Sequence, residues 1–317
     1  MIPASTSSHL RLGEGAEFDA IRSMLGEWGS RAAGIGDDGA LLDVPAGERL
    51  VVSTDASIEN VHFRREWLSA QQIGARAAAA ALSDLAAMAA TPLGLLLALG
   101  VPPDWQAELT ELARGVGVAA ERAGCAIVGG NIARSSALSL TFTVLGSTSQ
   151  ALHRAGAKAG DIVYVTGRLG GAGAALASLL AGRVPRPAHM ERFVAPVPRL
   201  AESRWLVEHG VHAGIDLSDG LLADLGHLAR ASGVSVEIDL DRLPLVDDVD
   251  AAAAAVSGEE YELVVAAPRA ARLRPEEFAK RFDLSLTEIG VVRDALDSPV
   301  IVVGARVDPA RGHDHFS

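Results

Sequence analysis

Cysteine is almost absent from this sequence. The 317 residues include a single cysteine, Cys125. An intramolecular disulfide and a cysteine-based metal site are therefore both excluded. Cys125 lies in the apolar run 124–128, which resembles a buried strand, so we expect an unreactive thiol rather than a nucleophile.

Lysine is nearly as scarce, since only Lys158 and Lys280 occur. Neither follows a glycine-rich loop, so the P-loop pattern of nucleotide-binding proteins is missing. No lysine is an obvious candidate for a Schiff base. A nucleotide site in this chain must neutralise phosphate charge by other means.

Long apolar runs are also missing. Residues 1–15 are polar and serine-rich and lack the apolar core of a signal peptide. The longest apolar tract, 75–101, is interrupted by Arg76, Asp84 and Pro92, so it does not predict a membrane span. We therefore expect a soluble, cytoplasmic protein with no membrane partner.

Positive charge is in the minority, with 28 Lys and Arg against 40 Asp and Glu and a net charge of -12. This balance argues against a nucleic-acid partner, which would require a basic surface. It does not exclude anionic substrates, provided that metal ions mediate their binding.

The order of apolar segments predicts a mixed α/β fold with two domains, residues 1–147 and 148–317. Strand-like and helix-like segments alternate in both halves, and the chain is long for one ordinary core. Particular expectations include a strand at 40–43, a strand at 126–128 that ends in Gly129-Gly130-Asn131, and a proline-rich loop at 183–198.

The two halves echo each other in their acidic residues. One strand ends in the cluster 53–55 (Ser-Thr-Asp), and another leads into 216–219 (Asp-Leu-Ser-Asp). A carboxylate follows on a downstream helix in each half, Asp84 in the first and Asp224 in the second. The echo suggests two similar halves that face a shared cleft.

Each of these residues also has a structural explanation. Asp37-Asp38 in isolation favours a turn, and Asp219 is as well suited to a helix N-cap as to a ligand. Gly129-Gly130 fits a tight turn as well as a close approach to phosphate. At Asp84 a functional role is favoured over a structural one, because an unpartnered carboxylate in an apolar helix is costly to bury.

Taken together, the acids predict a magnesium site. Several hard oxygen donors without cysteine, and with few histidines, are typical of Mg²⁺ rather than zinc. Because Mg²⁺ commonly bridges carboxylates to phosphates, a nucleotide site here would use metal ions and backbone amides in place of a P-loop lysine.

Eight short motifs, in order over residues 13–316, resemble those of the thiamine-monophosphate kinases, within the aminoimidazole-ribonucleotide synthetase-like ATP-binding superfamily. The motifs are Gly34–Ala40, Val52–Asp55 with His62-Phe63, Leu82–Met88, Val128–Asn131, Arg154–Ala157 with Gly160-Asp161, Ile215–Leu221, Ser257–Leu263 and Asp314–Phe316.

The resemblance implies two α/β domains with the active site between them, and a homodimer formed through strands of the first domain. It implies transfer of the γ-phosphate of ATP to thiamine monophosphate, giving thiamine diphosphate, with several Mg²⁺ ions. The implied Mg²⁺ ligands are Asp38, Ser53, Thr54, Asp55, Asp84, Asn131, Asp216 and Asp219. The implied ATP contacts are Gly130, Asn131, Arg154 and Ser218, and those to thiamine monophosphate are His62, Glu259 and His313.

The implied reaction requires no general base, so no catalytic side chain is predicted. The acceptor is itself a phosphate with a second pKa of about 6, and it is mostly ionised near neutral pH. Repulsion between the two phosphates is the obstacle, and fixed Mg²⁺ ions offset it by charge and positioning. His62 would donate to the acceptor phosphate, although its spacing alone favours a surface loop histidine.

Three departures from the family pattern leave alternatives open. Asn131 stands where the family usually has Asp, 257–260 (Ser-Gly-Glu-Glu) replaces Gly-Gly-Glu-Asp, and His313 stands where an aromatic residue is usual. One alternative is a superfamily relative with another acceptor, although the cysteines that two such relatives need are missing. The other is a protein that binds nucleotide or thiamine phosphate with weakened turnover.

Overall fold

The computed structural model describes residues 14–271 and 273–304, which form two compact units. Unit 1 extends to Ser149 without residues 86–90, which belong with the residues from Gln150 onward in unit 2. Helices and strands alternate in both units, so the predicted mixed α/β class is confirmed. No helix in the described ranges is long and apolar enough to cross a membrane.

Unit 1 is built on a four-stranded sheet. Its strands are β1 (Arg49–Ile58), β2 (Thr91–Val101), β3 (Ile127–Arg134) and β4 (Ser139–Thr148), and its helices are α1 (Ala16–Trp28), α2 (Ala70–Ala87) and α3 (Leu109–Ala123). The strand order is β1-β4-β2-β3, in which β2 and β3 are parallel and the other pairs are antiparallel. β1 and β3 are therefore the two edges.

Helix α2 begins with a capping box. The Ser69 hydroxyl accepts from the Gln72 amide, and the Gln72 side chain accepts from the Ser69 amide. Glycine then brings α2 and α3 together, since a Cβ at Gly115 would lie 1.9 Å from the Gln71 carbonyl oxygen of α2. This close contact holds α2, and with it Asp84, against the rest of unit 1.

Side chains alternate between the two faces of β1. Ser53 is paired with Val144 and Asp55 with Phe142, whose side chains are buried. The intervening Val52 is 56% exposed and belongs to the opposite face. Ser53 and Asp55 thus share the inner face of the sheet.

Three local predictions were wrong. Residues 40–43 form no strand, since the Leu41 side chain is fully exposed and only the Leu42 side chain approaches the sheet, beside Gly94 of β2. β3 continues through Gly129-Gly130-Asn131 to Arg134 instead of ending before them. The segment 183–198 contains a helix, α5 (Pro187–Val194), whose first position suits proline.

Unit 2 is built on a six-stranded sheet in the order β10-β7-β9-β5-β8-β6. Its strands are β5 (Ile162–Thr166), β6 (Ala213–Asp216), β7 (Ser235–Asp239), β8 (Leu263–Ala267), β9 (Leu286–Arg293) and β10 (Val300–Val303). Its helices besides α5 are α4 (Gly171–Leu180), α6 (Leu200–Glu208), α7 (Leu221–Ser232), α8 (Ala251–Ala255) and α9 (Pro275–Phe282). Separate apolar clusters pack α7 and α8, and α6 and α9, against the sheet.

Candidate functional site

A hydroxyl–carboxylate contact joins β1 to α2 in unit 1. The Ser53 hydroxyl donates to Oδ2 of Asp84 at 2.5 Å. Asp84 is only partly buried, whereas its neighbours Leu82 and Leu85 are completely buried. The structure thus places two of the predicted metal ligands side by side, although 31 residues separate them in the chain.

The cluster 53–55 divides between the faces of β1. Asp55 lies on the same face as Ser53 and is half-buried. Thr54 lies on the opposite face, where its hydroxyl donates to the Phe142 carbonyl at 2.9 Å. Ser53 and Asp55, but not the Thr54 side chain, therefore lie on the side that carries Asp84.

Asn131 lies far from these residues within one chain. Two strands separate β3 from β1, which at the usual strand spacing of about 4.8 Å puts them about 14 Å apart. Asn131 is in register with Ala98, whereas Asp55 shares a row with Gly130. Asn131 therefore belongs to the face opposite Asp55, and the two side chains of one copy cannot share an ion.

The glycine at position 130 has a steric explanation. A Cβ at Gly130 would lie 2.0 Å from the Leu97 carbonyl oxygen on the neighbouring strand β2. The residue lies inside β3, so neither Gly129 nor Gly130 forms the tight turn considered from the sequence. A contact between Gly130 and ATP stays a prediction.

His62 is held in one orientation by the loop after β1. The backbone amide of Ile58 donates to Nδ1 of His62 at 3.1 Å, so the proton of the neutral ring is on Nε2. The Asn60 amide closes the loop on the Phe63 carbonyl at 2.7 Å, and the Phe63 side chain is buried. This tautomer suits the predicted donation from His62 to a phosphate oxygen.

A brace that sequence reasoning missed supports the same loop. The Trp105 indole donates to the Glu59 carboxylate at 3.0 Å, and that oxygen also accepts from the Leu138 amide. The Arg65 guanidinium stacks on the Trp105 ring at 4.2 Å and pairs with Asp104 at 2.9 Å. Nothing in the sequence signals these contacts, which join segments about 40 to 80 residues apart.

In unit 2 a single carboxylate gathers the loop after β6. Oδ2 of Asp224, on the first turn of α7, accepts from the backbone amides of Ser218, Asp219 and Gly220, each at 3.1 Å. Asp224 is 1% exposed. Ser218 and Asp219 are both predicted site residues, and this contact fixes the backbone that carries them.

Three carboxylates crowd this loop. Burial, together with the charges of Asp216 and Asp219, raises the pKa of Asp224 to about 8. His227 lies one turn further along α7, and the ligand atoms of Asp219, Asp224 and His227 lie within 4.8 Å of one another. The carboxylate oxygens at this loop are the kind of donor that a hard divalent cation such as Mg²⁺ prefers.

A second segment is joined directly to this loop. The Glu259 amide donates to the Ser218 carbonyl at 2.8 Å, and the Tyr261 amide donates to the Leu217 carbonyl at 2.9 Å. The backbones are so close that a Cβ at Gly258 would lie 2.9 Å from the Ser218 oxygen. The structure therefore places Glu259, predicted to contact the acceptor, beside Ser218 and Asp219.

In the segment 257–262, residues with an unusual backbone conformation alternate with buried acidic residues. Glu259 and Tyr261 have φ angles of 60° and 51°, in the left-handed region that side chains other than glycine rarely adopt. Glu262 is buried and accepts two bonds from the Arg199 guanidinium, at 2.8 and 2.5 Å. Such backbone persists only where its surroundings over-determine it.

Ser257 and Glu260, the two residues of this segment that differ from the family pattern, contact each other. The Ser257 hydroxyl donates to the Glu260 carboxylate, which also accepts from the Gly170 and Ala172 amides at the start of α4. Burial raises the pKa of Glu260. Ser257 and Glu260 thus anchor the segment to α4, while Glu259 lies outside this anchor.

Arg154 lies near the same region of unit 2. Its carbonyl accepts from the Ser232 hydroxyl at 2.9 Å, which places it beside the end of α7. The pKa of His227 is lowered by burial and by the charges of Arg230 and Arg154. Arg154 is therefore close enough to α7 to act on the histidine that neighbours Asp219.

For two predicted site residues the structure gives no contact with the rest of the site. Asp38 is exposed, and no hydrogen bond or ion pair links it to another described residue of the predicted site. His313 and the motif 314–316 lie outside the described residues.

Comparison with known proteins identifies the family. Residues 36–148 match the AIR synthase related protein N-terminal domain, and residues 158–302 match the corresponding C-terminal domain. A thiamine-monophosphate kinase of Bacillus subtilis (strain 168) is 32% identical, over 95% of this chain and 99% of that protein.

Two solved structures have the same fold over most of the chain. The thiamine-monophosphate kinase from Stenotrophomonas maltophilia K279a aligns with a TM-score of 0.80 at 36% identity, over 92% of this chain and 96% of that one. AaThiL complexed with AMPPCP and TMP aligns with a TM-score of 0.77 at 32% identity, over 98% and 100%. The chain belongs to the thiamine-monophosphate kinase family, within the AIR synthase related proteins.

Proposed function

We propose that this protein transfers the γ-phosphate of ATP to thiamine monophosphate, giving thiamine diphosphate. The observation that carries the proposal is the alignment over 98% of the chain with a relative solved with AMPPCP and TMP. AMPPCP stands in for ATP, with a methylene group in place of a bridging oxygen. A donor and an acceptor phosphate therefore bind together in a protein of this fold.

The unit 2 residues are assigned mainly to the nucleotide, and His62 and Glu259 to the acceptor. Ser218 and Arg154 contact ATP in this proposal, and its support is the fixed loop at 218–220 beside α7. His62 donates from Nε2 to the acceptor phosphate, which is consistent with its occupied Nδ1. Gly130 and Asn131 remain proposed ATP contacts on β3, and His313 a proposed acceptor contact.

Magnesium ions complete the proposed site. Ser53, Asp55 and Asp84 would hold Mg²⁺ in unit 1, and Asp216 and Asp219 would do so in unit 2. Thr54, Asp38 and Asn131 are further proposed ligands, with less support because their side chains lie apart from these groups. When bound, Mg²⁺ offsets the repulsion between the reacting phosphates. The protein's own contribution is to position two anions without a general base.

We further propose a homodimer that forms through unit 1. β1 is an edge strand of the four-stranded sheet, and it exposes Leu50 (50%) and Val52 (56%) on its outer face. Exposed edges that carry apolar side chains favour association with another strand or sheet. A second copy is the proposed partner, and because ATP is the co-substrate, the proposed location is the cytoplasm.

One assay tests the function. Purified protein is incubated with ATP, Mg²⁺ and thiamine monophosphate, and thiamine diphosphate and ADP are quantified over a range of Mg²⁺ concentrations. We expect equal amounts of both products. Thiamine in place of its monophosphate is the acceptor control and should give none. No product at any Mg²⁺ concentration would overturn the proposal, and binding of both ligands without turnover would support the weakened alternative.

A further inference from the structure

We propose that Asp224 is a positioning residue for the nucleotide side of this reaction, acting through the loop Ser218–Gly220. The inference rests on the proposed function, because it concerns how that site is held. Neither the family pattern read from the sequence nor the predicted ligand set includes a role for Asp224.

The position of Asp224 in α7 distinguishes it from an ordinary helix cap. The helix starts at Leu221, and an N-cap side chain would accept from amides two or three residues further along. Asp224 instead reaches back to Gly220 and to the two residues before it, which lie outside the helix. Its carboxylate therefore orders the loop rather than the helix.

The convergence of three amides on one oxygen constrains the loop strongly. All three amides donate to the same buried oxygen, so three consecutive peptide groups are oriented toward one point. With the amides turned toward Asp224, the Asp219 side chain stays 39% exposed and accessible to a ligand. The backbone amides of the loop are thus bound to Asp224, while the Asp219 side chain remains accessible to a ligand.

The proposed role requires a hydrogen-bond acceptor at position 224 rather than a negative charge. The neighbouring Asp216 is also buried, and a third acid nearby adds repulsion. A neutral acceptor such as asparagine would meet the same amides without that cost. A role in presenting the loop accounts for an acceptor here, and it predicts which substitutions the site tolerates.

The effect of Asp224 extends to the acceptor segment. The Ser218 carbonyl, next to the pinned amides, accepts from the Glu259 amide at 2.8 Å. Gly220 packs against the Val256 backbone, where a Cβ would lie 3.0 Å from the Val256 carbonyl carbon. If the loop were released from Asp224, Glu259 would therefore also be disturbed, but only indirectly, through the Ser218 carbonyl.

The experiment compares three variants in steady-state kinetics with ATP, Mg²⁺ and thiamine monophosphate. Asp224→Asn keeps an acceptor oxygen, so we expect its KM for ATP within about threefold of wild type. Asp224→Ala removes the acceptor and should raise the KM for ATP and the activating Mg²⁺ concentration about 10- to 100-fold. The KM for thiamine monophosphate should rise less.

Asp224→Glu covers the case in which Asp224→Ala does not fold. It keeps the carboxyl acceptor but adds a methylene that displaces the loop, so its KM for ATP should rise about tenfold or more. Asp239→Ala is the matched control, since Asp239 is another unit 2 carboxylate that accepts a backbone amide, at 3.1 Å. It should lose some stability and leave both KM values unchanged.

Two outcomes would overturn the proposal. One is a wild-type KM for ATP in Asp224→Glu or in folded Asp224→Ala. The other is an Asp224→Asn variant as impaired as Asp224→Ala, which would mean that charge, not hydrogen-bond acceptance, matters. If wild type makes no thiamine diphosphate, the proposed function fails separately, and the same variants are then compared by calorimetric binding of AMPPCP with Mg²⁺.

Discussion

The two units present their acidic residues in different ways. In unit 1 the acids are side chains of a strand, and strand geometry allows only alternate residues, Ser53 and Asp55, onto the side that carries Asp84. In unit 2 Asp216 ends β6, and the adjacent Ser218 and Asp219 belong to the loop after it, whose backbone is pinned by Asp224, so both are held. A strand selects among its residues, whereas an anchored loop can offer consecutive ones.

The carboxylates on helices α2 and α7 also differ in what they hold. Asp84 accepts from one side-chain hydroxyl and is partly exposed. Asp224 accepts from three backbone amides and is buried. Substitution should therefore act on unit 1 mainly through the ligand itself, and on unit 2 through the scaffold beneath the ligands. The following predictions test that difference.

The largest effect is expected at Glu262. Glu262→Gln removes the carboxylate that accepts both Arg199 hydrogen bonds and leaves only Glu202, at 3.7 Å, and breaking such a buried pair costs about 3–5 kcal/mol in the free energy of unfolding. Urea unfolding measures it. Glu237→Gln, which breaks a partly exposed pair with Arg293, is the control and should cost at most about 1 kcal/mol. Equal losses in the two variants would contradict a scaffold role for the buried pair.

In unit 1 the expected effect falls on turnover instead. Asp84→Asn should lower kcat by about 100-fold or more with little change in unfolding, because a proposed metal ligand loses its charge. Ser53→Ala removes the 2.5 Å hydrogen bond and a proposed ligand that carries no charge, so it should have a smaller effect, about tenfold or less. Intact turnover in Asp84→Asn would show that this carboxylate does not act in the reaction.

A smaller effect is expected from the brace of the His62 loop. Trp105→Phe keeps an aromatic ring for Arg65 but removes the indole donor to Glu59. The KM for thiamine monophosphate should rise about fivefold while the KM for ATP stays constant, consistent with one lost hydrogen bond. A rise in both constants would mean that the brace supports unit 1 as a whole.

The smallest effect concerns Cys125, which should not react in the folded protein. Burial raises the pKa of its thiol to about 12, so the thiolate is scarce at pH 8. A chromogenic disulfide reagent should modify Cys125 only as unit 1 opens, in step with urea unfolding. Rapid reaction without denaturant would show that unit 1 opens more readily than its packing indicates.

Much of the fold could be predicted from local patterns, because those patterns act locally. Ser69 and Gln72 predict the start of α2, and the apolar run before Asp216 predicts β6. The site acids could also be selected, since Asp84 in an apolar helix is conspicuous. Strand order is not local, however, and the separation of Asn131 from Asp55 depends on two intervening strands.

The supporting contacts could not be predicted for a similar reason. Glu260 meets Gly170 across 90 positions, and no sequence pattern specifies that pair. Asp224 was visible as a carboxylate that echoes Asp84, yet its three partners are backbone amides, which every residue has. Such donors become specific only when the loop has its folded shape.

The left-handed backbone at Glu259 and Tyr261 has a consequence for how the sequence can change. Glycine at either position would relieve about 1 kcal/mol or more of backbone strain. A library selected only for thermal stability should therefore drift toward glycine at 259 and 261, whereas one selected for thiamine diphosphate production should keep Glu259. The gap between the two populations would measure how much stability this protein forgoes for its chemistry.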